Sequence, residues 1–225
     1  MARRTYAQFC PAARLLDLVG ERWTLLVLRE LLVGPMRWKD LDDALPGIGP
    51  TLLSQRLRDL EAAGYVRRID LPPPAARTVY ELSGSGRDLE PVLMALGRAG
   101  VPLLDEPTDD QPLLERVLRF GVKSMLVTEA LDDRELTVAL DLDELQVTLA
   151  IGPRRDDDGR FVRFHERIEV TDGADPDADV RLTGSMVVVV WRHQRALSAE
   201  QALAELSVTG EPDAVGHALD VLGLA

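Results

Sequence analysis

A single cysteine, Cys10, stands in the 225 residues, which excludes an intramolecular disulfide and a structural zinc site built on several thiolates. Histidine is nearly as scarce: His165, His193 and His217 are scattered, and none has a partner at metal-ligand spacing. No apolar run approaches the ~18 residues needed to span a bilayer, and the opening MARRTYAQFC lacks a hydrophobic signal core. A soluble, cytoplasmic protein with no membrane partner is therefore expected. A phosphate-binding Walker loop and a nucleophile elbow are also missing. DPDAD at Asp175 to Asp179 starts like a calcium loop but lacks the glycine at the bend and the closing glutamate, so it reads as an acidic turn. DDDG at Asp156 to Gly159 reads as a hairpin turn, and GSGRDL at Gly84 lacks the third glycine of a dinucleotide loop. No enzyme, no catalytic residue, no cofactor and no metal is expected from these patterns.

What is present is globular: 46% of the residues are hydrophobic and 28% charged. The length suits two domains of about 100 residues each. The formal charge of −12 is unevenly spread. Residues 1 to 100 hold 14 basic against 12 acidic side chains, whereas residues 101 to 225 hold 12 against 26. DNA would repel the second half, but the first can bind phosphate if its arginines share one face. Between them, VPLLDEPTDDQP (Val101 to Pro112) carries three prolines and four acids. This composition predicts a domain over 1 to 101, a linker over 102 to 111 and a second domain over 112 to 225.

In the first half, Pro11 opens a helix with Cys10 at the N-cap position and Leu15, Leu16, Leu18 and Val19 as its apolar stripe. A second helix is predicted from about Trp23 to Leu32 and a third from about Trp38 to Leu45. PGIGP then turns into a fourth helix, whose buried seam is Leu53, Leu57 and Leu60. Thr51, Ser54, Gln55 and Arg58 fall on its opposite side by spacing of three and four. Gly64 ends it. YVRRIDL and TVYEL form a hairpin whose tip holds three prolines beside Arg77, and a last helix from about Gly86 to Gly100 turns Leu89, Val92, Leu93 and Leu96 inward.

Short helices, a tight turn before an amphipathic helix, and a hairpin with a basic tip make a winged helix-turn-helix. A helix that enters the major groove needs hydroxyl or amide groups for base edges and an arginine for guanine or phosphate. Thr51, Ser54, Gln55 and Arg58 meet that need, with Arg37, Lys39 and Arg77 as further DNA contacts. A merely solvated face is the alternative.

CPAARLLDLVGERWTLLVLRELLVGPMRWKDLDDALPGIGPTLLSQRLRDLEAAGYVRR resembles the HxlR family of bacterial winged-helix regulators over about residues 8 to 100. The resemblance implies a homodimer on a two-fold symmetric double-stranded DNA operator, acting on nearby genes, often in response to electrophiles or oxidants. It also implies dimer contacts from the first helix and the helix ending at Gly100. One departure is YELSGSG, Tyr80 to Gly86, where Y-x-L-T is usual. Some relatives sense through a cysteine at the place of Cys10, where a helix N-terminus favours thiolate. The alternative is a small buried side chain under the dimer contact.

The second half predicts a helix over about 113 to 131, strands in ELTVALDL, ELQVTLAI, RFVRFHERIEV and ADVRLTG, helices in SMVVVVWRHQRALS and over Ser198 to Glu205, a short strand LSVTG and a closing helix in EPDAVGHALDVLGL. Strands followed by helices make an α+β domain. The order resembles the sterol carrier protein type 2 fold, which implies a hydrophobic tunnel. Met125, Phe161, Phe164, Met186, Val190, Trp191 and Leu203 are its candidate lining for a hydrophobic small-molecule effector, or else an ordinary core. The reading is a DNA-binding repressor, its second domain binding an effector or stabilising assembly. Its rivals are a lipid carrier, a thiol sensor working through Cys10, and an accessory subunit of an acyltransferase.

Overall fold

The computed structural model describes residues 5–74, 77–105, 115–143, 145–153 and 167–225. Contacts divide the chain into two units, Met1–Leu93 and Met94–Ala225. The division falls inside a helix, N-terminal to the 102–111 stretch that composition singles out; residues 106–111 of that stretch lie outside the described residues. No helix among the described residues is long and apolar enough to cross a membrane.

The first unit begins with α1 (Pro11–Val19), α2 (Thr24–Val33), α3 (Trp38–Ala44) and α4 (Pro50–Ala62). Pro11 occupies the first turn of α1 and Cys10 its N-cap, with extended backbone and no capping bond from the thiol. Ala13, Leu18 and Val19 are buried, but Leu16 is 47% exposed rather than part of the inward stripe. The turn into α4 needs left-handed backbone at Gly47 (φ 96°) and Gly49 (φ 64°), which glycine adopts without the clash a β-carbon brings. Leu53, Leu57 and Leu60 are buried as their spacing predicts. At the other end of α4, Gly64 donates to the Glu61 carbonyl and Tyr65 to that of Leu60, with Gly64 at φ 79°. This paired bonding satisfies the last carbonyls and turns the chain directly into the wing.

The wing pairs β1 (Val66–Asp70) with β2 (Thr78–Leu82) in antiparallel register, Arg68 opposite Tyr80. After it come α5 (Gly84–Arg87), capped by Ser83 Oγ, and α6 (Glu90–Gly100). Leu89 and Leu93 are buried, whereas Val92 and Leu96, expected inward, are 46% and 50% exposed. The helix is thus apolar on two sides, one buried and one left exposed among the described residues.

In the second unit, the later part of α6 approaches α7 (Glu115–Met125) closely at Gly97, where a β-carbon would lie 2.6 Å from Ser124 Cβ. Val101 joins the core, and Gln194 Nε2 donates to the carbonyls of Val101 (3.0 Å) and Leu104 (2.8 Å). A sheet of β3 (Leu136–Leu142), β4 (Leu145–Ile151), β5 (Ile168–Asp172), β6 (Val180–Gly184) and β7 (Ser207–Gly210) follows the order β5-β4-β3-β6-β7. All its pairs are antiparallel except β3 with β6, which is parallel. Alternation explains which side is covered: Leu136, Val138, Leu140 and Leu142 on β3 and Leu145, Val147, Leu149 and Ile151 on β4 are buried, while Thr137, Asp141 and Gln146 lie between them. The core is completed by α7, α8 (Met186–His193) and α10 (Pro212–Val221), with α9 (Ala199–Ala204) leading into β7.

Asp179 ties the start of the parallel pair. Its carboxylate accepts from the Thr137 hydroxyl (2.6 Å) and the Thr137 N–H (2.8 Å), and these bonds hold its pKa below the usual carboxylate range. A carboxylate of depressed folded pKa stabilises the fold above its unfolded value, and that stability is lost as pH falls through the folded value. On acidification below about pH 4, the second unit's thermal midpoint should fall more steeply in the wild type than in Asp179→Asn. Parallel curves would show that the bond does not contribute.

Candidate nucleic-acid interface

The geometry of α4 separates the four residues that spacing grouped. Thr51, Gln55 and Arg58 are exposed along one strip, Thr51 in the first turn. Ser54 is half-buried, and its Oγ accepts the indole N–H of Trp38 at 3.1 Å. Trp38 lies 16 residues away on α3, a contact no helical period can reveal. Gln55 is held at both ends: its Nε2 donates to Asp59 Oδ1 (2.9 Å) and its Oε1 accepts from Arg58 Nη2 (2.9 Å). Arg56, on the inner flank, bridges Glu21 (3.2 Å) and Asp59 (3.4 Å), fastening the turn before α2 to α4.

The other basic candidates differ in what already neutralises them. Arg37 makes a two-pronged pair with Asp40, Nε to Oδ2 at 2.8 Å and Nη2 to Oδ1 at 2.5 Å. That side-chain bond holds the Asp40 carboxyl below its usual range against the cost of burial, and the nearby Arg77 charge adds to it. Lys39 pairs with Asp43 at 3.2 Å. Arg77 is exposed at the wing tip, residues 75–76 beside it lying outside the described residues. Arg68, absent from the sequence-based set, is exposed on β1, whereas its neighbour Arg67 pairs with Glu81 at 2.6 Å. The doubled arginine in YVRRIDL was the signal for it, since alternation in a hairpin sends the two to opposite faces. The recognition strip and wing thus offer hydrogen-bond donors for base edges and cations for phosphate.

Cys10 is half-buried. Among the described residues no group of three or more His, Cys, Asp or Glu side chains is placed to hold a metal ion.

In the second unit, an apolar cleft of about 10 Å³ lies between α7, the sheet and α8, lined among others by Met125, Leu140, Leu182, Val189 and His193. Of the expected lining, Met125 is there; Met186 is buried and Val190 and Leu203 half-buried elsewhere in the unit. Trp191 points outward at 38% exposure, so it belongs to the surface, because α8 turns Val189 to the core instead. Phe161 and Phe164 lie outside the described residues, as does His165. His193 Nδ1 is 2.8 Å from the Val189 carbonyl and its Nε2 3.2 Å from that of Met125, so the ring ties two helix ends together. His217 is buried with Nε2 3.4 Å from Asp132.

The HxlR-like helix-turn-helix family matches residues 18–106. The chain is 39% identical over 105 residues to the uncharacterized HTH-type transcriptional regulator sll1512 of Synechocystis, covering 47% of this chain and 78% of that protein. It is 31% identical over 100 residues to the uncharacterized HTH-type regulator YvaP of Bacillus subtilis, covering 44% and 93%. The solved reduced form of the transcriptional regulator YodB from B. subtilis shares 31% identity over 45% of this chain and all of that one, with a TM-score of 0.38. The family match spans α2, α3, α4 and the wing, and through it and the two sequence relatives the chain belongs to the HxlR-like helix-turn-helix family of transcriptional regulators.

Proposed function

We propose that the protein is a homodimeric repressor that binds a two-fold symmetric DNA operator through α4 and the wing, and that its second unit adjusts this binding by taking up a hydrophobic small molecule. The observation that carries the DNA reading is the exposed strip of Thr51, Gln55 and Arg58 on a helix whose opposite side is fully buried. Self-association is supported by the second apolar side of α6, Val92 and Leu96, and by exposed Phe9 and Leu16 at α1. Scattered exposed leucines need no explanation, but an i, i+4 apolar pair on a helix that buries Leu93 and Met94 on its other side fits a helix-on-helix contact. A dimer seated on its operator excludes polymerase without an activating surface, hence the choice of repression. The chain acts by binding and not by catalysis in this reading.

The second unit supplies the acidic charge and a sheet-and-helix core of the sterol-carrier type. Its cleft of about 10 Å³ is close to the ~10–15 Å³ that one water needs, so uptake of an effector has to part α7 and α8 from the sheet. A ligand that stabilises the parted state shifts operator affinity by its difference in binding to the two states, typically ~1–3 kcal/mol.

Binding to a mixed-sequence duplex across a salt series tests the DNA reading. Wild-type affinity should fall linearly on logarithmic axes, and Arg58→Ala and Arg77→Ala should each reduce the slope by about one unit. An unchanged slope in both variants removes those contacts. Native mass spectrometry against the denatured mass tests the effector: a released small molecule supports uptake. Ligand without salt-dependent DNA binding would instead favour a carrier.

A further inference from the structure

We infer that Gln55 does not read a base itself but positions Arg58, with Asp59 fixing the orientation of the Gln55 amide; this rests on the DNA-binding reading of α4. A glutamine that reads adenine must present both ends of its amide, the N–H₂ to N7 and the oxygen to N6. Here both ends are occupied within the helix, by Asp59 Oδ1 at 2.9 Å and Arg58 Nη2 at 2.9 Å. The occupants also fix which end is which, because a carboxylate accepts only and a guanidinium donates only. Turning the amide over would set its N–H₂ against the guanidinium and its oxygen against the carboxylate.

Arg58 is in the complementary state. One Nη2 bond goes to Gln55, and the Nε and Nη1 groups have no partner among the described residues. A guanidinium pre-aimed by one bond loses less freedom when its remaining donors meet O6 and N7 of guanine. Asp59 is itself held by Arg56, whose other end grips Glu21, so the chain of contacts runs from the body of the unit out to the reading group. Asp59, next to Arg58 in sequence and one turn beyond Gln55, also places negative charge beside the strip, which offsets indiscriminate attraction to phosphate. The inferred target of this strip is thus a guanine-containing step in the major groove, read by Arg58.

The test is selection of binding sites from a random-sequence duplex pool by the full chain, followed by affinity for the selected duplex and its single-base variants. Wild type, Gln55→Ala, Arg58→Ala, the double variant, Asp59→Asn and Asp59→Glu are compared, each first matched to wild type in circular dichroism and thermal midpoint. Gln55→Ala and Arg58→Ala should lose preference at the same guanine, roughly tenfold for Arg58→Ala, and the double variant should be no worse than Arg58→Ala within about twofold. Asp59→Asn should weaken preference at that same position while raising affinity for mixed-sequence duplex, and Asp59→Glu should restore both. A purely structural role for Asp59 would lower all affinities alike. Loss of preference at two different base pairs, with effects that multiply in the double variant, would make Gln55 a reader in its own right and overturn the inference. Failure of the wild type to enrich any sequence or to bind duplex DNA in a salt-dependent way would refute the DNA reading itself, a result separate from either pattern above.

Discussion

Gly86→Ala is expected to destabilise the first unit by about 2–4 kcal/mol and to abolish operator binding with it. Gly86 is buried, and a β-carbon on it would lie 2.1 Å from the Tyr65 carbonyl oxygen and 3.2 Å from two atoms of the Leu82 side chain. The oxygen cannot rotate away as a side chain would. It accepts the Ser83 N–H at 3.0 Å, and Ser83 Oγ in turn donates to the Gly64 carbonyl at 2.6 Å while accepting from Gly86 N–H. Tyr65 is the residue that leaves α4 and enters the wing, so any shift that relieves the clash is passed to both elements proposed to contact DNA. Gly84→Ala is the control, since a β-carbon there meets nothing within 4 Å. Chemical denaturation of the two variants, with duplex binding measured by fluorescence anisotropy, checks this. Equal stability of Gly86→Ala and Gly84→Ala would mean that the backbone yields at little cost.

Leu140→Ala is expected to cost the second unit about 2–5 kcal/mol and to create a cavity that admits small apolar molecules. Leu140 is buried at the middle of β3, opposite Val147 on β4 and Leu182 on β6, and its side chain borders the apolar cleft. Truncation both removes transfer energy and adds volume to a space that now holds about 10 Å³. Calorimetry should show the transition of the second unit lowered while that of the first stays in place, and titration with benzene should recover part of the loss. If duplex binding survives but a native effector no longer alters it, the division of labour proposed between the units is supported. A variant as stable as wild type, with no response to benzene, would indicate that the sheet collapses over the gap.

Much of the first unit was legible because its signals are local. The seam Leu53, Leu57 and Leu60, the glycine that ends α4 and the antiparallel wing each depend on neighbours a few residues away, and each is as the spacing predicts. Where the reading departs from the structure, the deciding contact is distant. Ser54 was set beside Gln55 by period, yet the indole of Trp38 draws its hydroxyl inward. Val92, Leu96 and Leu16 were placed in the core because hydrophobicity alone does not tell a side chain buried in one chain from one left for a partner. Arg37 and Lys39 look free in sequence, but carboxylates three and four residues on neutralise them. Trp191 is a candidate for tunnel or core by sequence, whereas the turn of α8 leaves it at the surface and gives the inward place to Val189. The strand order of the second unit could not be read from the strands themselves, since alternation fixes faces and not neighbours.

That strand order has a consequence for how the chain comes off the ribosome. In the first unit β1 pairs with β2 across a short turn, and even its long-range backbone bridge, Met36 with Tyr80, is available once β2 has emerged, so a folded winged module can exist while the second unit is still being made. The second unit cannot do the same. Its central strand β3 waits for β6, more than 40 residues later, and β6 waits in turn for β7, while α10 brings the last core residues, Ala218 and Val221. Closing such distant pairs is slow and leaves the apolar side of β3 and β4 uncovered in the meantime. During synthesis the DNA-binding module is therefore the early-maturing part, and the interval before β7 arrives is the period in which the nascent protein most needs a chaperone.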